Sequence, residues 1–311
     1  MSGWLVTGGA GYIGAHVVRS LRTAGERVVV LDDLSTGVRA RLPEGVVCVE
    51  ASVHDLPALT KALGEHSIDG VIHLAAKKAV AESVAEPIRY YRENIGGITT
   101  LLEAMADTGV TCLVYSSSAA VYGEPPWSPI SEDTPAAPKS PYGETKLIGE
   151  WAIRAAAAIS ELSWVSLRYF NVAGASEPGL ADTSANNLIP MVYAALDSGE
   201  NPEVFGTDYP TPDGSCIRDY VHVADLAEAH VRAAQYTRQA QRGDVFNVGT
   251  GTGASVWEVM AAISEQIGRD VDAVASRRRA GDPPELVASV DRIAGVLGWQ
   301  ATRTLADMVR R

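Results

Sequence analysis

Residues 7–14 read Thr-Gly-Gly-Ala-Gly-Tyr-Ile-Gly, and no other stretch limits the fold of this chain so tightly. The apolar run Trp4–Thr7 before it predicts a strand, and the amphipathic run Ile13–Ala24 after it predicts a helix. Gly8, Gly11 and Gly14 then occupy a strand-to-helix turn. There they allow a tight turn, close backbone approach to a pyrophosphate, and close packing of helix on strand. The helix N-terminus faces the phosphate charge. A glycine triplet alone is weak evidence, but the second half of the signal is present. Val28-Val29-Val30-Leu31-Asp32 ends a strand 18 residues after Gly14. A carboxylate at Asp32 accepts hydrogen bonds from the adenosine ribose and repels a 2′-phosphate, which favours NAD over NADP.

The rest of the chain extends this pattern. Short runs at Val28–Leu31, Val46–Val49, Gly70–Leu74, Cys112–Ser116 and Trp164–Leu167 are apolar on both faces, as strands inside a parallel sheet must be. Helical patterns lie between them, including Ile88–Thr108 and Glu144–Ser160. Alternation of this kind predicts an α/β protein with a doubly wound parallel (Rossmann) sheet. After about residue 170, Pro, Gly, Asp and Asn multiply. We therefore expect a dinucleotide-binding domain over 1–170, with a strand at 244–249 returning to its sheet, and a smaller substrate-binding lobe over most of 171–311.

Of the 311 residues, 46% are hydrophobic and 21% charged, enough for a sizeable core. The formal net charge of −12, with no basic tract, argues against nucleic acid and anionic membrane surfaces. No apolar run reaches membrane-spanning length, and the sequence enters a structured motif at once, so a cytoplasmic protein is expected. Cys48, Cys112 and Cys216 lie far apart, and the histidines show no ligand spacing. Neither disulfides nor a metal site are expected.

Tyr142-Gly143-Glu144-Thr145-Lys146 places a phenol and an ammonium at i and i+4, on one face of a predicted helix. Lowering a tyrosine from about pKa 10 towards 7 takes roughly 4 kcal/mol, within reach of a close ammonium and a positively charged nicotinamide. Such a tyrosine is a general base for an alcohol whose carbon gives up hydride. Ser116-Ser117-Ser118 ends the fifth strand, where a hydroxyl can meet the same substrate oxygen.

At these residues the chain resembles the extended short-chain dehydrogenase/reductases, and among them the UDP-glucose 4-epimerases, almost end to end. The resemblance is carried by Val6–Gly14, His73-Leu74-Ala75-Ala76-Lys77-Lys78-Ala79-Val80, Ser116–Gly123, Ser140–Gly143, Arg168–Asn171, Asn186–Pro190 and Arg218–Val223. It implies interconversion of UDP-galactose and UDP-glucose through a transient 4-keto sugar, with Tyr142 as base, Lys146 as its electrostatic partner and Ser118 on the 4-hydroxyl. It implies an NAD site of Gly8, Gly11, Tyr12, Ile13, Gly14, Asp32, Asp33, Ser35, Thr36, Ser52, Val53, Leu74, Ala75, Ala76, Lys78, Asn94, Ser116, Tyr142, Lys146 and Tyr169. For the UDP-sugar it implies Lys78, Ser118, Tyr142, Asn171, Asn187, Leu188, Val204, Phe205, Arg218, Arg279, Asp282 and Leu286. A homodimer through the helices near 88–108 and 144–160 is implied as well.

Two departures from the family stand out. Ala51-Ser52-Val53 replaces a segment in which relatives carry an Asp beside the adenine, so NAD is expected to be held less firmly. Leu286 stands where glucose-restricted relatives carry Tyr, which leaves room for N-acetylated sugars. A uronate or pentose 4-epimerase, a dehydratase and, least of all, a non-catalytic NAD sensor are the alternatives. Ser118-Ala119-Ala120 lacks the acidic pair a dehydratase needs, and Tyr142 with Lys146 argues against a sensor.

Overall fold

The structure is a computed structural model that describes residues 3–184, 187–240, 242–279 and 282–311. Asn186, which belongs to one of the family segments, lies outside that set. The chain divides into two units.

The first unit comprises the residues up to Gly123 together with Ala136–Arg168 and Ala227–Phe246. Its strands are β1 (Gly3–Thr7), β2 (Arg27–Asp32), β3 (Val47–Glu50), β4 (Ile68–His73), β5 (Cys112–Ser116) and β6 (Ser163–Tyr169), with β10 (Gly243–Val248) at one edge. The sheet order is β10-β6-β5-β4-β1-β2-β3. The pairs from β6 through β3 are parallel, with Val6 opposite Val30 and Thr7 opposite His73. The chain order reverses between β1 and β4, and open α/β sheets bind ligands at the carboxyl ends flanking such a reversal. Leu5, Val29, Leu31, Val71 and Leu113 pack with Leu59 and Leu63 of α2 (Leu56–Glu65) in one core.

Helix α1 (Tyr12–Thr23) follows the glycine turn. The expected helix over 88–108 is present, continuous from Pro87 to Thr108, but it contains a π-turn. After α3 (Val80–Ala85) come α4 (Pro87–Tyr90), a π-turn (Tyr91–Ile95) and α5 (Gly96–Thr108). Apolar periodicity continues through a π-turn, so the sequence pattern does not reveal it. Helix α6 (Pro141–Ala157) starts three residues before the expected Glu144. Ser140 caps it by accepting from the Gly143 N–H at 3.2 Å, and Pro141 fits its first turn. Tyr142 therefore stands in the first turn of α6, and Lys146 one turn on.

The second unit comprises Glu124–Pro135, Tyr169–Leu226 and Asn247–Arg311. At its centre β9 (Ile217–His222) pairs with β11 (Gly253–Ser255), β13 (Glu285–Leu286) and β7 (Asn171–Ala173). A separate parallel pair joins β8 (Glu203–Phe205) to β12 (Val274–Ser276). Ile189 and Val192 of α7 (Leu188–Ser198) pack with Val259 and Ile263 of α9 (Val256–Ile267) and with Met308.

Two segments group differently from the division expected at residue 170. Ala227–Ala240, the larger part of α8 (Val223–Ala240), belongs with the first unit. His230 Nε2 lies 2.9 Å from Ser116 Oγ there, and Arg238 pairs with Glu26 at 2.7 Å. Glu124–Pro135 belongs with the second unit, where the Ile130 N–H donates to the Val287 carbonyl at 2.8 Å. Both groupings rest on contacts distant in sequence. Among the described residues no helix is long and apolar enough to cross a membrane.

Candidate active site

The turn after β1 has the shape a dinucleotide requires. Gly8 adopts φ +70°, and a Cβ there would lie 2.7 Å from the Ala75 nitrogen in the loop after β4. A Cβ on Gly14 would lie 2.2 Å from the Gly8 carbonyl oxygen, so helix and turn meet backbone to backbone. With Gly11 as its N-cap, α1 has no acidic residue in its first turn, which leaves its positive end suited to a diphosphate.

Asp32 is buried at the end of β2, where its carboxylate accepts from the Ala10 and Leu34 N–H groups, each at 2.9 Å. Burial raises its pKa, against the pull of those two donors. A Cβ on Gly37 would come within 2.5 Å of Asp32 Oδ1, so the space beside the carboxylate is kept by a glycine. Lys78 Nζ stands 6.0 Å over the Tyr12 ring, beside the glycine turn. The set fits NAD.

Other expected cofactor residues have local partners. Asp33 Oδ1 accepts from the Ser35 N–H and hydroxyl, and Thr36 is exposed on the same loop. Although burial opposes it, the Ser35 donors and Lys77 hold the Asp33 carboxyl below its ordinary value. Ser52 Oγ accepts from the His54 N–H at 3.2 Å, and Val53 packs beside Gly97. The amide of Asn94 receives the Lys77 N–H (2.8 Å) and donates to the Lys77 carbonyl (3.1 Å) and Thr145 Oγ1 (3.0 Å). Asn94 thus ties the Lys77 loop to α6.

Tyr142, Lys146 and Ser118 come together at the carboxyl end of β5. Lys146 Nζ donates to the Ser116 carbonyl at 2.8 Å and stands 5.9 Å from the centre of the Tyr142 ring. Ser118 caps the 3-10 turn Ala119–Tyr122 by accepting from the Ala120 N–H at 3.2 Å, and its hydroxyl lies beside Tyr142. Burial pushes the Tyr142 phenol above its ordinary value, and the Ser118 hydroxyl offsets only part of this. The same burial brings Lys146 down to about 8. The expected lowering of Tyr142 by Lys146 is therefore not produced by the chain's own groups, because both side chains are desolvated together and the ammonium rests on a backbone carbonyl. Buried His73, Nδ1 2.8 Å from Thr7 Oγ1, is held neutral with its pKa down at about 3. Among the described residues no three His, Cys, Asp or Glu side chains are grouped to hold a metal ion.

In the second unit the expected UDP residues gather in two places. On the central strands Asn171 lies opposite Tyr220, and Leu286 opposite Arg218. Arg218 donates to the Ile217 and Pro283 carbonyls at 2.9 and 2.8 Å and stands 3.4 Å from Asp282. On the β8–β12 pair, Val204 and Phe205 lie opposite Ala275 and Ser276, and the Arg279 guanidinium covers the Phe205 ring at 3.9 Å. Arginines so held suit a diphosphate. Asn187 and Leu188 instead open α7, where Asn187 Nδ2 donates to Asp182 at 2.5 Å. Tyr169 ends β6.

A model of the NAD dependent epimerase/dehydratase family matches residues 4–249. The chain belongs to this family. A relative from Azospirillum brasilense named UDP-glucose 4-epimerase is 47% identical over 99% of this chain and 89% of its own length. A UDP-glucose 4-epimerase from Stenotrophomonas maltophila, crystallised with NAD and formylated UDP-arabinopyranose, matches at a TM-score of 0.95 and 38% identity, covering 99% of this chain and 96% of that one. The UDP-Glc/GlcNAc 4-epimerase of Campylobacter jejuni matches at 0.88 and 36%, covering 99% and 98%.

In this family member the structure also joins residues that the sequence reading passed over. Glu150, on the same face of α6 as Tyr142 and Lys146, is completely buried, and Arg168 pairs with it through Nη2 at 2.6 Å. A carboxylate at i+4 from Lys146, facing a sheet, was a legible signal. Tyr91 hydrogen-bonds Glu144 from the π-turn, and only the π-turn geometry places it there.

Proposed function

We propose that the chain is a UDP-hexose 4-epimerase, NAD its cofactor and UDP-galactose and UDP-glucose its substrates. The observation that carries this is the buried Tyr142, beside Ser118 and accompanied by Lys146, at the carboxyl end of a sheet whose glycine turn fits NAD. When bound, NAD supplies the acceptor and donor of the hydride at carbon 4. Tyr142 Oη takes the 4-hydroxyl proton and later returns it, with Ser118 orienting the oxygen and the Lys146 ammonium as the nearby countercharge. Arg218 and Arg279 hold the diphosphate. Affinity comes mainly from UDP, which leaves the 4-keto sugar free to turn over between the two half-reactions. NMR of the purified protein with UDP-galactose, with and without added NAD, tests this. The gluco epimer with no net NADH is expected; no epimer under either condition would refute it.

N-acetylated UDP-hexoses are proposed as further substrates, on the strength of Leu286. Leu286→Tyr is expected to lower turnover of UDP-N-acetylgalactosamine about tenfold or more while UDP-galactose stays within about threefold, since the ring adds bulk beside carbon 2. Equal losses on both sugars would remove Leu286 from specificity.

We also propose a cytoplasmic homodimer. Val84, Ile88 and Trp151, on α3, α4 and α6, are 63, 69 and 55% exposed, an apolar surface suited to a self-interface. Sedimentation equilibrium is expected to give twice 32.8 kDa, and a monomer would refute the dimer.

A further inference from the structure

Glu150 is a completely buried carboxylate that takes no part in the proton transfer above. Its Oε1 accepts from Ser117 Oγ at 2.7 Å and Arg168 Nε at 2.9 Å, and its Oε2 from Arg168 Nη2 at 2.6 Å. Arg154 Nη2 stands 3.6 Å away, and Arg168 Nη1 donates to the Tyr122 hydroxyl at 3.0 Å. Hydrophobic groups of similar volume commonly stabilise a core as well as a buried ion pair does, so stability alone does not account for this one. Its location does. Ser117 lies between Ser116, whose carbonyl holds Lys146, and Ser118, whose hydroxyl lies beside Tyr142. Glu150 lies one turn beyond Lys146 and two beyond Tyr142. A single carboxylate therefore fastens the middle of the strand end that grips both catalytic side chains to the helix that carries them.

We propose that Glu150, fixed by Arg168 and bonded to Ser117, is a positioning residue that sets the Ser118–Tyr142–Lys146 geometry. The proposal rests on the epimerase reading for its kinetic consequences, while its geometric core can be measured without turnover. Glu150→Ala would leave Arg168 buried without its carboxylate and risks unfolding, so Ser117→Ala is the primary variant. It removes one hydrogen bond and keeps the ion pair.

With UDP-galactose and the NAD-loaded protein, Ser117→Ala is expected to lower kcat about tenfold with KM within twofold. The rise of kcat with pH should also move to higher pH, because Tyr142 loses a well-placed Ser118 donor. Ser117→Thr, which keeps the hydroxyl, should restore both. Tyrosinate absorbance, titrated against a Tyr142→Phe reference, should show Tyr142 ionising at higher pH in Ser117→Ala. An unchanged pH profile and tyrosinate titration, with a lowered Tm alone, would overturn the proposal. If the parent protein turns over no UDP-galactose, the epimerase reading fails, and the tyrosinate titration still decides whether Ser117 and Glu150 set Tyr142.

Discussion

Tyr142→Phe is expected to lower kcat for UDP-galactose by about 10³, with KM changed little, because the substitution removes the one group placed to take the 4-hydroxyl proton. Only Oη is lost. The ring stays in the same buried site, so stability should change by no more than about 1 kcal/mol. Activity and Tm must therefore part company. Initial rates by NMR, set beside a thermal melt, check this. A variant that keeps more than a tenth of the parent kcat would assign the proton to another group, whereas a collapsed melt would reduce the loss to misfolding. The pH profile adds a constraint. Burial leaves the phenol neutral in the neutral range, so the active ionised form grows as pH rises and kcat climbs with it on the acid side.

That phenol shows how far the sequence could be read. The i, i+4 spacing of Tyr142 and Lys146 and the glycine turn are local, and local geometry translates spacing into position. Most strands of the first sheet were legible because both faces are buried and the apolar runs are short, whereas the edge strand β3 is exposed at Val47 and Glu50 and is legible from its apolar run alone. Desolvation was not legible: it is set by everything that covers the pair, and it reverses the shift that proximity alone suggests for Tyr142. The π-turn was hidden because inserting one residue into a helical turn leaves the apolar pattern almost intact. Arg168 was hidden for another reason. It reads only as part of a family segment, and its pairing with Glu150, 18 residues earlier in the sequence, and with the Tyr122 hydroxyl gives it a place. Asp219 in the second unit is similar. It reads as part of a family segment, yet its carboxylate collects the N–H groups of Thr250, Gly251 and Ala288.

Lys146→Met should make the protein more stable and much less active at once. The ammonium is completely desolvated, and among the described residues it forms no ion pair with a carboxylate. Burial brings it from 10.5 to about 8. At neutral pH the folded chain therefore carries a buried charge at a cost of roughly 3 kcal/mol, from about 1.36 kcal/mol per unit. The hydrogen bond to the Ser116 carbonyl is lost in the variant and takes back about 1 kcal/mol. Methionine fills similar space without the charge, so Tm at pH 7 should rise by a few degrees. The sign reverses along the pH axis as follows. Between about pH 8 and 10.5 the unfolded chain still binds a proton that the folded chain has released, so stability of the parent rises across that window and the gap to the variant closes. Activity moves the other way. Lys146 lies one turn of α6 from Tyr142, its Nζ 5.9 Å from the ring centre, so removing it takes away the cation that accompanies the phenolate. The kcat of the variant should be lower by about two orders of magnitude at pH 7. A lowered Tm at pH 7 would mean that the ammonium stabilises the fold. A kcat within threefold of the parent would mean that the ammonium takes no part in the proton transfer.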